Sequence, residues 1–237
     1  MSRALVLAAT ILMAVPMVAG ADVYTDDFEG GVNESAWAWI RGGDILEETG
    51  GNPGWWLHQP QYDTFAPILD TGSGIDTPFV GDYTAAIVTR ISADLRTDRV
   101  DFGDGEGFEL ALILRNTNGT PNDPNDDDFA YTLLGNIPLE GAGWVNYDVP
   151  IPSLSNEDVP AGWFGAWVGD CENFRPGVVW ADIMASVDRV EFWYINPCFS
   201  AIFQGWGVGA DNLEIEFEGG STPTAETSWG SVKNLYR

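Results

Sequence analysis

Basic residues are scarce: ten lysines and arginines stand against 36 aspartates and glutamates, for a formal net charge of -26. Lys233 is the single lysine and His58 the single histidine. A surface of that sign repels phosphate backbones and anionic headgroups, which argues against nucleic acid and anionic lipid as partners. It suits divalent cations, or solubility in salty surroundings. Long apolar runs are missing after the first 21 residues, so no later segment predicts a membrane span. Cys-x-x-Cys, Gly-x-Ser-x-Gly and His-Glu-x-x-His are also missing, so neither a zinc or redox site nor a hydrolase motif is legible.

What is present begins with MSRALVLAATILMAVPMVAGA. One arginine, an apolar stretch from Ala4 to Val18 and the small residues Ala19 to Ala21 predict a cleaved export signal over residues 1–21. In an exported chain the two cysteines, Cys171 and Cys198, predict a disulfide, with a pair of buried thiols as the alternative. The bridge would close a loop of about 26 residues and add about 3 kcal/mol by restricting the unfolded chain.

Period-two alternation dominates the rest. In NLEIEFE (212–218), Leu213, Ile215 and Phe217 alternate with three glutamates, which predicts a strand with one buried face. FELALILR (108–115), FAYTLL (129–134), WVNYDV (144–149), DRVEFWYI (188–195) and AAIVTRISADL (85–95) read the same way, as do VYTDDF and AWAWI earlier. Only ADIMASV (181–187) has helical apolar spacing. This pattern predicts an all-β fold: a two-sheet antiparallel β-sandwich, or jelly roll, with one short helix, spanning residues 22–218. Residues 219–237 read as a polar linker and an aromatic, basic tail, SWGSVKNLYR, which either docks elsewhere or folds back on the domain.

GGNPGWWL (50–57) places two tryptophans directly after a turn. In a strand their side chains take opposite faces, so Trp55 pairs with Leu57 toward a core. Trp56, beside His58, then faces solvent, a covering loop or a ligand. An exposed indole is a platform for the apolar face of a sugar ring. Trp163 and Trp167, in the loop-like PAGWFGAWVGD, are the next ligand candidates, with Trp163 and Phe164 capping the sandwich as the alternative.

GGNPGWWL, FAP (65–67), FVGDY (79–83) and ISADLR (91–96) together resemble the laminin IV (laminin B) domain. ADNLEIEFE (210–218) is similar to the closing strand of that family and of galactose-binding-like, carbohydrate-binding-module jelly rolls, whose first strand DDFEGG…AWAW (26–39) also resembles. The resemblance implies a sandwich that binds or spaces rather than catalyses. It also implies a structural calcium held by Glu29 and Asp211, joining the first strand to the last.

The acidic run NDPNDDD (122–128) lacks the glycine and distal glutamate of an EF-hand and reads as a solvated loop, while DFGDGEG (101–107) fits either a calcium-holding loop or a hairpin turn. The expectation is an exported, non-catalytic module that binds a polysaccharide, a glycoconjugate or a matrix-like surface component. A structural or adhesive cell-surface spacer and, behind it, a glycan-cleaving hydrolase or lyase are the alternatives.

Overall fold

The computed structural model describes residues 20–40, 43–71, 76–101, 103–120, 127–166, 178–198 and 204–219. They carry β1 (Asp22–Asp26), β2 (Ala38–Trp39), β3 (Ile45–Gly51), β4 (Gly54–Thr64), β5 (Ile68–Asp70) and β6 (Val88–Val100). These are followed by β7 (Glu109–Asn116), β8 (Asp128–Asn136), β9 (Val145–Pro150), β10 (Phe164–Ala166), β11 (Arg189–Trp193) and β12 (Gln204–Phe217). Two short helices, α1 (Tyr83–Ala86) and α2 (Trp180–Ala185), complete the pattern, with a single 3-10 turn at Glu29–Gly31.

The strands form two antiparallel sheets. The first runs β3-β4-β12-β6-β9, and the second β10-β8-β7-β11-β5-β2. The fold class expected from alternation is therefore the one observed. β12 is long enough to take β4 along its first half and β1 along its second, with Asp22 opposite Phe217 and Asp26 opposite Leu213. The two ends of the folded unit lie side by side.

Alternation fills the space between the sheets. Leu57, Leu95, Ala210, Leu213 and Ile215 of the first sheet meet Leu110, Leu112, Leu114, Val190 and Phe192 of the second in one cluster, all at most 1% exposed. Trp37, Trp180 and Trp206 are also buried there, and Trp37 meets Phe79 edge to face at 5.0 Å. Such large side chains dominate the apolar area removed from water.

Two local expectations need correction. Because proline has no N–H to give a ladder, the sequence predicts that the strand carrying Trp55 and Trp56 ends where Gln59 gives way to Pro60, yet β4 runs through Pro60 to Thr64. Its register with β12 shifts between Trp206 and Val208, and an irregularity of this kind tolerates a residue without an N–H. The stretch from Ala85 does not begin as a strand either. The Asp82 side chain accepts from the Ala85 N–H at 2.8 Å and caps α1, and Ile87 leaves the helix in the left-handed region before β6 starts. There are thus two short α-helices where one was expected; α2 lies where ADIMASV predicts it.

Candidate functional site

The sandwich leaves two outer faces to consider. On the first sheet, Trp56 points away from Leu57 as the alternation requires, yet it is only 2% exposed. Its ring lies over Gly209 of β12, where a Cβ would collide with it. His58 stacks on it at 4.1 Å, Trp144 meets it edge to face at 5.4 Å, and the Arg96 guanidinium sits 4.8 Å from its centroid. The polar atoms of the cluster return to the chain's own turn: Trp56 Nε1 donates to Thr49 O at 3.0 Å, and Arg96 and Trp144 both donate to Gly50 O at 3.1 Å. The turn at 50–54 is thereby folded over the sheet, and Trp56 is no open stacking platform.

Past Gly50, the same turn gathers the two carboxylates expected to hold calcium. Glu29 Oε1 accepts from the Trp55 N–H at 3.1 Å and crowds Gly54. Asp211, fully buried, accepts from the backbone N–H groups of Asn52 and Asn212. A Cβ added to Gly51 would sit 2.6 Å from the carbonyl oxygens of Gly54 and Trp55 and 2.9 Å from Asp211 Oδ2. Oxygens therefore converge on this glycine, and all are hard donors of the kind calcium takes. Burial is the main cause that pushes the Asp211 carboxyl up to about 7; the amides of Asn52 and Asn212 oppose the shift, and Asp94 and Asp27 add to it. Among the described residues no three His, Cys, Asp or Glu side chains group as a metal set, so backbone and amide oxygens would have to complete any such site.

The second sheet's outer face is organised differently. Cross-strand register places Phe164, Tyr131, Ile113, Glu191, Asp70 and Ala38 in one row across all six strands. At a strand spacing near 4.8 Å this row is about 24 Å wide. Beside it run Phe129, Arg115 and Arg189, and on the other side Leu133, Ala111, Trp193 and Ile68. Ala111, Ile113, Phe129 and Tyr131 form an apolar cluster separate from the main core.

Within that frame sits a network of charge. Arg115, 5% exposed, gives one arm to Asp127 Oδ2 at 2.8 Å and the other to Glu191 Oε2 at 3.0 Å. Burial works against its charge, but Glu191 and Asp127 outweigh it, so its pKa is raised. Arg189 reaches Asp70 at 3.0 Å and Glu191 at 3.8 Å. Glu191 also receives the Trp193 indole N–H at 2.7 Å, which fixes the plane of that half-buried ring. Phe164, 37% exposed, stacks on Tyr131 at 5.2 Å.

The predicted ligand residues fare unevenly. Trp163 is 8% exposed and packs on Trp180 at 4.9 Å within the core, because directly before β10 it takes the inward phase and Phe164 the outward one. Trp163 is therefore corrected from ligand candidate to core residue. Trp167 and Cys171 lie outside the described residues, as do the export segment and the tail; Cys198 is placed, its Sγ 3.2 Å from the Tyr131 hydroxyl. Asp127, assigned above to a solvated loop, is instead buried against Arg115. Separately, a cleft of about 480 Å³ opens between β8 and β9, lined by Thr132 to Leu134 and Asn146 to Pro150.

No family model matches the chain, and no curated protein matches its sequence. Among solved structures it is similar to a family 11 carbohydrate-binding module from Clostridium thermocellum in complex with a β-1,3-1,4-mixed-linked tetrasaccharide (16% identity, 83% of this chain and 95% of that one, TM-score 0.44). It is also similar to a xylan-binding domain of family 22 (14% identity, 84% and 96%, TM-score 0.42). A third is the K1 cleaved adhesin domain of Lys-gingipain from Porphyromonas gingivalis W83 (15% identity, 82% and 97%, TM-score 0.38). The laminin label finds no support among them, and at these values the likenesses carry no functional argument. Among the described residues no helix is long and apolar enough to cross a membrane.

Proposed function

We propose that the chain is a non-catalytic glycan-binding module whose contact surface is the outer face of the second sheet. The observation that carries this reading is the buried network of Arg115, Glu191, Asp127, Arg189 and Asp70 set beside Trp193 and the Phe164/Tyr131 stack. Removing charges from water costs several kcal/mol per ion, and apolar side chains of like volume commonly replace such networks with no loss of stability. A fold selected for stability alone has no use for them on an outer face. A recognition surface does, because the buried network holds the half-buried Trp193 ring in one plane beside the exposed Phe164.

Catalysis is the weaker reading. Glu191 and Asp70 lie opposite one another in register, as a carboxylate pair does, but both are engaged by guanidinium groups rather than left to hand a proton to a leaving group. In this reading Trp56 and Trp163 are structural, and Phe164 and Trp193 replace them as ligand contacts. Export through residues 1–21, a Cys171 to Cys198 bridge and a calcium held by Glu29, Asp211 and the carbonyls around Gly51 belong to the same proposal. Calcium would neutralise the buried Asp211 carboxylate and tie the 50–54 turn to the last strand.

Affinity electrophoresis against a broad set of soluble polysaccharides tests the function. Retardation by at least one of them, lost in Phe164→Ala, is the expected result. No retardation by any returns the chain to the spacer reading, and release of reducing ends would revive the enzyme.

A further inference from the structure

The sandwich is open along one side. There β9 is the outer strand of the first sheet, and β10 covers β8 only from Phe129 to Tyr131, so past Thr132 two strand edges from different sheets face one another. The cleft of about 480 Å³ lies between them. We infer that this cleft is a second glycan site, separate from the outer face of the second sheet, and that it takes short neutral oligosaccharides and the free ends of neutral glycan chains; this rests on the glycan-binding reading above. Its volume holds a few sugar units, not a long run of chain.

Strand phase decides which groups a ligand meets there. The Ile151 N–H donates to Thr89 O at 2.8 Å, and the register of β9 with β6 is unbroken from Val145 to Pro150, so the odd-numbered residues of β9 turn their backbone groups to β6. The N–H groups of Asn146 and Asp148, both exposed residues, are therefore on the free edge. Pro150 has no N–H, and a proline and a charge on an edge hinder the addition of another strand. A peptide strand is thus a poor occupant. The Asp148 side chain is 57% exposed and stands 3.8 Å from Arg90, whose closer partners are Glu214 and Glu216. Asn146 donates from Nδ2 to Asp94 at 2.8 Å, which holds the amide and leaves Oδ1 to accept.

Leu134 and Pro150 line the same cleft with apolar surface, over the buried Tyr147 ring. Among the described residues no lysine, arginine or histidine lines it, so an anionic sugar finds no cation. A neutral sugar uses every part. Adjacent hydroxyls donate to the two oxygens of one carboxylate, another accepts from an edge N–H, and the C–H face lies on the apolar side chains. A lysine side chain would use Asp148 but neither the edge N–H groups nor the apolar surface.

The test titrates isotope-labelled full chain with short neutral oligosaccharides (from mixed-linkage β-glucan, xylan, mannan and galactan) and, separately, with oligolysine, following backbone amide signals by NMR. At least one oligosaccharide should shift the Asn146 and Asp148 amides. Its affinity should fall at least tenfold in Asp148→Ala and stay within about twofold in Phe164→Ala, both shown by thermal melting to be folded. Asp148→Asn, which keeps the shape and one acceptor oxygen, should lose less than Asp148→Ala. Oligosaccharide affinity that Asp148→Ala leaves unchanged, or that Phe164→Ala lowers as much, would overturn the inference and leave glycan binding intact. So would polysaccharide retardation without any oligosaccharide binding. Shifts of these two amides by oligolysine alone, weakening with salt, would overturn it in favour of a basic peptide. Silence from oligosaccharides and polysaccharides alike would overturn the underlying reading and the inference with it.

Discussion

On the outer face of the first sheet, Trp56, Trp144 and Arg96 direct their N–H groups to Thr49 and Gly50, so the chain's own turn takes what a ligand might have used. On the outer face of the second, among the described residues, Arg115 and Arg189 pair with side-chain carboxylates, Arg115 also lies over the Phe129 ring at 5.4 Å, and Phe164 is exposed beside a half-buried Trp193. Both faces place aromatic rings beside guanidinium groups. The difference lies in the acceptor: backbone carbonyls of a covering turn hold the first cluster, whereas side-chain carboxylates hold the guanidinium groups of the second, beside the exposed Phe164 ring that the proposed glycan contact would use. Aromatic content by itself does not distinguish the two.

Substitutions should separate the faces, beginning with the most severe. Arg115→Ala removes the guanidinium that the buried Glu191 and Asp127 share and should cost about 4 kcal/mol in urea unfolding. A cost below about 1 kcal/mol would mean that water already reaches the network. Trp56→Ala, which empties the space between Gly209, His58 and Trp144, should cost about 3 kcal/mol and leave glycan affinity unchanged. Lost affinity with preserved stability would reverse the roles of the two faces.

A gentler probe of the first face is pH. In chelator-treated protein the Asp211 carboxyl keeps its proton up to about 7, well above the unfolded range near 4. The folded state therefore binds the extra proton between these values, and stability should fall as pH rises across that window. Asp211→Asn should flatten this component, and calcium should restore the midpoint at the upper end. Equal slopes in both proteins would remove Asp211 from the account. Gly51→Ala should abolish the calcium-dependent shift in melting temperature, since its methyl meets the Gly54, Trp55 and Asp211 oxygens. Retention of the full shift would move the ion elsewhere.

Much of the scaffold was legible from alternation alone. NLEIEFE carries its own phase, and the second half of β12 obeys it, with Leu213, Ile215 and Phe217 buried. The same rule places Trp56 opposite Leu57. It does not reveal that a turn folds back across Trp56, because that depends on Gly209 lying flat beneath the ring more than 150 residues later. At the start of β10 the pull of a large residue misleads: tryptophan looks like the platform, yet Trp163 is inward and Phe164 outward. Gly165 holds the clue, since a Cβ there would press on Val178 and so shares the inward phase of Trp163. The charge network was the least legible part. Arg115 closes an apolar strand, Asp127 ends an acidic loop and Glu191 sits 76 residues from Arg115, so only strand register brings them together.

The most direct measurement compares Trp193→Ala and Trp56→Ala by calorimetric titration against one neutral polysaccharide that the unchanged protein binds. Loss of the Trp193 ring should weaken binding about 30-fold, near 2 kcal/mol, in a variant shown by thermal melting to be folded at the titration temperature, while loss of Trp56 lowers the melting temperature and leaves affinity alone. Equal affinity in Trp193→Ala and the unchanged protein would contradict the assignment of the second sheet's outer face as the binding surface.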